Sequence, residues 1–136
     1  MFIDTHAHLY SKKFDDDREA MLARSRAAGV THCLLPNVDA ESLPRMLELE
    51  RAHPDYCFSM AGLHPVSVKG NTYQEELAGV RRELERRPYL AVGEIGLDFY
   101  WDKTFQVEQE TAFLTQVGWA AEFDLPIVIH ARDSID

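Results

Sequence analysis

Cysteine is scarce in this 136-residue sequence: Cys33 and Cys57 lie in separate apolar stretches and form no CxxC pair. CxxC chemistry is thereby excluded, and a buried, reduced thiol in a cytoplasmic protein is the expectation for each. No apolar run approaches the ~20 residues of a membrane span. The opening MFIDTHAHLY has no basic segment, and the acidic run Asp15–Asp17 follows almost at once, so no secretory signal is expected either. Basic residues are few, 14 against 23 acidic ones, for a net charge of −9. That excludes a broad basic face of the kind that neutralises a nucleic-acid backbone. A polyanionic substrate held at one local site is not excluded, because bound divalent cations invert the potential there. No GxGxxG follows the first apolar segment, which leaves a dinucleotide fold without its fingerprint. Linkers, low-complexity tracts and internal repeats are also missing.

What is present is a regular alternation. With 46% hydrophobic residues the chain has material for one core, and residues 1–136 are read as one domain. A short strand begins at Phe2–Asp4. A helix follows from about Asp16 to Ala28, with Met21, Leu22, Ser25 and Ala28 on one face and Gly29 as its stop. VTHCLLP (Val30–Pro36) is a β-branched, apolar second strand. Asp39 suits the N-cap of a helix carrying Leu43, Met46 and Leu47 that ends before Pro54. YCFSMAGLHP gives a third strand and its exit loop. Thr72 and Glu75 fit a capping box ahead of Tyr73, Leu77, Val80 and Leu84 at helical spacing. LAVGEIGLD is the fourth strand, and a helix from about Thr104 to Phe123 is expected to bury Phe113, Val117, Ala120 and Ala121. LPIVIHARD is the fifth strand.

Strands separated by helices through short connections describe βαβ units on a parallel sheet. The fold class is α/β, doubly wound or part of a (β/α)8 TIM-type barrel. Such a barrel needs ~250 residues. Asp133 and Ser134 are N-cap residues with no helix after them. The expectation is therefore the N-terminal portion of one barrel domain, covering about the first five strands and four helices.

Chemistry-bearing residues gather at the ends of these strands. His6 and His8 follow the first, Glu94 lies in VGEIG of the fourth, and His130 in IVIHAR of the fifth. Positions i and i+2 share a face, so His6 and His8 point the same way. Parallel barrels build their sites at the C-terminal strand ends, where these residues would converge. Three imidazoles and a carboxylate suit Zn²⁺, Mn²⁺ or Fe²⁺, and a carboxylate can bridge two ions with its two oxygens. Taken singly, Glu94 also reads as a salt-bridged carboxylate and His130 as a core histidine. His32 and His53 read as structural. Arg81, Arg82, Arg86 and Arg87, interleaved with Glu83 and Glu85, read as a solvated helix face with i,i+4 pairs.

FIDTHAHL, GLHP, VGEIGLDFY and LPIVIHARDS, in this order and spacing, resemble the TatD family of metal-dependent deoxyribonucleases, within the wider amidohydrolase-like barrels. The resemblance runs along the whole chain. It implies that His6 and His8 hold a first metal, that Glu94 bridges and is catalytic, and that His130 holds a second metal. It places His64, Tyr100 and Arg132 near the substrate. Arg132 is suited to gripping phosphate through two N–H groups. For His64 two roles stand open, donation to a phosphate oxygen or capping of the loop before Pro65. For Asp4 and Asp98 they are orienting an imidazole or bonding backbone. Trp101 suits either stacking on a base or packing at the rim. Tyr10 stands where the family often has Asp or Asn, and Ser134 where Ala or Thr is usual. The family's further ligands, a His after strand six and an Asp after strand eight, have no counterpart here.

The resemblance thus implies a cytoplasmic hydrolase using two divalent ions (Mg²⁺, Mn²⁺ or Zn²⁺) to activate water against the phosphodiester bonds of DNA, with no membrane partner. Hydrolysis of an ester or amide is a related possibility. A chain of this length is alternatively an impaired fragment that binds metal weakly or self-associates through its open edges.

Overall fold

β-Branched and apolar segments pair side by side while the amphipathic segments between them coil back over one face. In the computed structural model, which describes residues 1–135, this gives β1 (Phe2–Asp4), α1 (Arg18–Ala27), β2 (Val30–Leu35), α2 (Leu43–Ala52), β3 (Cys57–Ser59), α3 (Tyr73–Arg86), β4 (Val92–Asp98), α4 (Gln106–Glu122) and β5 (Ile127–Arg132). All pairings are parallel. β1, β2 and β3 form one sheet, β4 and β5 another, and a bridge from Ala61 to Val92 joins them. Each strand thus lies beside its predecessor, the order of a (β/α)8 wall. The architecture is α/β, as the alternation required. Among the described residues no helix is long and apolar enough to cross a membrane.

The core lies between the sheets and the helices. Leu22, Met46, Leu77, Val80, Leu84, Ala112 and Ala120 descend from the helices onto Cys33, Leu35, Cys57, Val92 and Ile95. Full burial of each large aliphatic side chain contributes about 1.5–3 kcal/mol. Cys33 and Cys57 are buried, unbonded thiols on paired positions of β2 and β3. β4 is enclosed, but β1 and β5 are open edges: Phe2, Ile3 and Ile129 are 65%, 55% and 53% exposed. β4 and β5 approach so closely that a Cβ on Gly96 would lie 1.9 Å from the His130 carbonyl oxygen, and Gly96 has φ +144°.

The N-cap of α2 is Ser42, without a side-chain cap bond, and not Asp39. Asp39 instead closes the turn before it, where Ser42 N–H donates to its Oδ1 at 2.8 Å and Asp39 N–H donates to Ser42 Oγ at 3.2 Å. Thr72 does not cap α3 with its side chain. Its φ of −127° and ψ of −17° lie away from the extended N-cap conformation. The inward face of α4 also differs from the apolar pattern. Ala120 is buried, but Ala121 is exposed and Phe113 and Val117 are only half-buried, while Gln109 and Gln116 are buried in their place. Both glutamines satisfy backbone that no strand partner reaches, and that hydrogen bonding outweighs their polarity.

Candidate metal centre

Glu94 is the hub. Its side chain is 6% exposed at the middle of β4, and its backbone is clamped by the loop after β2. Asn37 N–H donates to the Gly93 carbonyl at 3.0 Å, and Glu94 N–H donates to the Asn37 carbonyl at 3.2 Å. Asn37 Oδ1 in turn accepts from Ser42 Oγ at 3.2 Å.

Each carboxylate oxygen of Glu94 faces two imidazoles. Oε2 lies 3.0 Å from His6 Nε2 and 3.3 Å from His8 Nε2. Oε1 lies 3.0 Å from His130 Nδ1 and 3.7 Å from His64 Nε2. Candidate ligand atoms of His6, His8 and Glu94 all fall within 4.8 Å of one another, as do those of His64, Glu94 and His130. Oε2 is buried yet receives no well-aligned hydrogen bond. A buried carboxylate oxygen left this way is costly, and a cation between it and the two imidazoles removes the cost. On this observation the residues fit a divalent ion. Burial alone would raise the Glu94 pKa. The imidazoles of His8, His64 and His6 outweigh that and hold it down at about 2, so the carboxylate stays ionised.

The outer atoms of the rings are also engaged. His130 Nε2 lies 2.8 Å from Asp98 Oδ2. Asp98 is buried at the end of β4, where its N–H and carbonyl are bonded by Gln109 at 2.9 and 3.1 Å. Its other oxygen accepts from Tyr100 N–H at 3.1 Å, so of the two roles open for Asp98 it performs both. Asp4 bonds only the backbone N–H of His6, at 3.2 Å. It does not reach an imidazole.

Of the two roles open for His64, the capping of the loop is the one its contacts show. Its Nδ1 accepts from Val66 N–H at 3.1 Å, capping the 3₁₀ turn Pro65–Ser67, while Nε2 faces Glu94. Burial lowers its pKa to about 4, against the upward pull of Glu94. The ring is then neutral near pH 7, and with Nδ1 accepting, its one proton sits on Nε2. His64 therefore presents an N–H to the centre. Gln116, from α4, bonds both backbone groups of Leu63 at 2.7 and 3.3 Å and fixes this loop. Neither Gln109 nor Gln116 stood out in the sequence. Their spacing of seven along one helix face was the available signal.

Arg132 and Tyr100 form a separate group at the strand ends. The Arg132 guanidinium stacks 3.7 Å above the Tyr100 ring and 5.2 Å from that of Trp101, and it forms no ion pair among the described residues. Trp101 is 71% exposed and meets Tyr100 edge-on, so it is not packed into the rim. Several other basic and imidazole groups are engaged elsewhere, though Arg82 of the α3 cluster forms no ion pair among the described residues. Arg81 pairs with Glu85 and Glu122, Arg86 with Glu83, Arg87 with Glu50, and His53 with Glu19. His32 is exposed, stacked on Phe58. A cavity of about 550 Å³ adjoins the centre, lined among others by His8, Tyr10, Lys13, Arg45 and His64.

The family described as TatD related DNase matches residues 3–136. An uncharacterized metal-dependent hydrolase, YabD of Bacillus subtilis (strain 168), is 34% identical over 136 residues, covering 100% of this chain and 52% of that protein. The 3'-5' ssDNA/RNA exonuclease TatD of Dickeya dadantii (strain 3937) is 39% identical over 132 residues, 96% of this chain and 49% of that protein. The crystal structure of YJJV, a TatD homologue from Escherichia coli K12, superposes with a TM-score of 0.87 at 36% identity, covering 97% of this chain and 51% of that one. A TatD family hydrolase from Entamoeba histolytica shares the fold, with a TM-score of 0.74 at 21% identity. The chain spans about half the length of the curated relatives it matches.

Proposed function

This chain belongs to the TatD-related DNase family, and from that premise we propose that it forms the N-terminal portion of a single (β/α)8 hydrolase domain acting on phosphodiester bonds. The observation that carries this reading is the buried Glu94 carboxylate, with an imidazole pair facing each oxygen and Oε2 lacking a hydrogen bond. His6, His8 and Glu94 would hold one divalent ion and Glu94 with His130 a second, Mg²⁺, Mn²⁺ or Zn²⁺. Ions so bound supply an activated water and a clamp for phosphoryl oxygens.

The chain's own groups do the rest. Glu94 stays ionised and holds both halves of the centre at a fixed spacing. His64 offers a neutral Nε2–H suited to a phosphate oxygen. Arg132 brings two parallel N–H groups for the same purpose from its perch on Tyr100. A net charge of −9 confines attraction of a polyanion to this centre, so contacts go to the backbone and not to base edges. Single-stranded DNA or RNA is the proposed substrate class, since it is what several relatives are named for. The buried free thiols suit a reducing, cytoplasmic setting.

The test is hydrolysis of single-stranded DNA and of a simple acyl ester by the full-length protein with Mg²⁺ or Mn²⁺, each with and without EDTA. Cleavage of DNA that the chelator abolishes is expected. Activity indifferent to chelation would overturn the metal assignment, and turnover of the ester alone would redirect it to carbonyl hydrolysis.

The open edges favour a second reading for residues 1–136 by themselves. Exposed Phe2, Ile3 and Ile129 on β1 and β5 make this stretch self-associate, and the lack of the family's further His and Asp ligands makes it bind metal weakly. Size-exclusion chromatography with metal analysis decides it, and a monodisperse monomer of full activity would sink it.

A further inference from the structure

Tyr10 lies between the centre and the loop after β2, with its ring buried and its hydroxyl in contact with two groups. One is the Pro36 carbonyl oxygen, 2.5 Å away; the other is His8 Nδ1, 3.0 Å away. A phenol has one proton, and a carbonyl oxygen only accepts. The Tyr10 proton is therefore committed to Pro36, and the hydroxyl oxygen is left to accept. The contact to His8 is then a hydrogen bond only if Nδ1 carries the imidazole proton. That choice places the lone pair of the neutral ring on Nε2, the atom that faces Glu94 Oε2 at 3.3 Å.

Resting on the metal-centre reading above, we infer that Tyr10 is a positioning residue that holds His8 as its Nδ1–H tautomer. Two acceptors then face one another across 3.3 Å, the arrangement a cation resolves and a proton-bearing Nε2 would oppose. His64 shows the opposite wiring on the other Glu94 oxygen. There Val66 N–H occupies Nδ1, and Nε2 carries the proton. Two histidines at similar distances from one carboxylate are thus assigned different work by their outer partners, His8 as electron-pair donor and His64 as proton donor. Tyr10 is itself firmly placed. Its ring is buried, and its backbone carbonyl accepts from Arg45 Nε at 3.2 Å and from Arg18 Nη2 at 3.4 Å, which fixes the main chain from which the ring projects. A shorter Asp or Asn at this position would need different contacts to reach His8.

The test is made on ¹⁵N-labelled, metal-free protein. Long-range ¹H–¹⁵N correlation of the ring nitrogens distinguishes the tautomers directly. Wild-type His8 is expected to show a protonated Nδ1 and a bare Nε2. In Tyr10→Phe, which keeps the buried ring, His8 is expected to shift toward the Nε2–H form that predominates for free histidine in water. Titration calorimetry with Mn²⁺ alone is expected to show at least a ~10-fold weaker affinity for the variant. An Nε2–H tautomer in the wild type would overturn the inference with no variant needed. So would an unchanged tautomer or unchanged Mn²⁺ affinity in Tyr10→Phe. Wild-type protein with the expected tautomer but no affinity for any divalent ion would instead count against the metal-centre reading, which separates the two failures.

Discussion

His130 lies between two buried carboxylates, with Nδ1 3.0 Å from Glu94 Oε1 and Nε2 2.8 Å from Asp98 Oδ2. An outer carboxylate that accepts one ring proton turns the other nitrogen's lone pair inward. Asp98→Asn keeps the volume and an acceptor for Tyr100 N–H but weakens the hold on Nε2. Divalent-ion affinity is expected to fall about 10–100-fold with little change in unfolding midpoint. Titration calorimetry with Mn²⁺ checks this, and an unaltered affinity would remove Asp98 from the account.

Gln116 answers both backbone groups of Leu63, the residue before His64. Gln116→Leu fills the same space without either bond, leaving a buried N–H and C=O unpaired at about 1–3 kcal/mol each. A loss of roughly 2–4 kcal/mol in urea unfolding is expected, with part of the cost relieved by movement of the His64 loop. A loss below about 0.5 kcal/mol, the range of ordinary surface changes, would mean the loop is held by other means.

Gly96 and Gly118 make a matched pair. A Cβ at Gly96 meets the His130 carbonyl at 1.9 Å with φ at +144°, whereas at Gly118, on α4, nothing lies within 4 Å. Gly96→Ala is expected to destabilise by at least about 3 kcal/mol and to displace β5. Gly118→Ala is expected to stabilise by about 0.5–1 kcal/mol through helix propensity. Thermal melts of the two variants decide, and a tolerated Gly96→Ala would contradict the strand packing described above.

Glu50 supplies a pH dependence away from the centre. It accepts from Arg87 at 2.6 and 3.0 Å and from Ser59 N–H at 3.2 Å. Burial pushes its pKa up, but these bonds outweigh burial and leave it below 4.5. A depressed carboxylate contributes stability that is complete above 4.5 and is lost as pH falls through the folded-state value. Glu50→Gln should therefore cost about 1–3 kcal/mol at neutral pH, with the difference from wild type shrinking in more acidic buffer. Urea unfolding at neutral pH and at pH ~3 measures it. A pH-independent difference would show that the charge of Glu50 is not what matters.

Much of the molecule was legible in one dimension. The alternation of apolar runs with helical spacing located β1–β5 and α1–α4 to within a few residues, because burial of one face needs that periodicity, but not the 3₁₀ turns Lys12–Phe14 and Pro65–Ser67. VGEIG and IVIHAR stood out because histidine and glutamate are expensive on apolar strands without a purpose, and HAH because two histidines follow directly on the first strand. The capping of α3 and the inward face of α4 were not legible. Thr72 has the right residue type in the wrong backbone conformation, and Gln109 and Gln116 look like solvent-facing positions until the backbone they serve is brought beside them.

Sequence by itself determined the parallel α/β order, the family likeness and which side chains are able to ligate or to donate, since these depend on residue type and local spacing. Tertiary structure decided how those groups are divided. It set two imidazoles against each Glu94 oxygen, turned Asp98 toward His130 and Asp4 away from any ring, and gave His8 and His64 opposite outer partners. The reason is physical. An imidazole has one proton to place when neutral, and where it goes depends on the groups on its far side. For His8 the deciding carbonyl belongs to Pro36, 26 residues from the tyrosine that relays it.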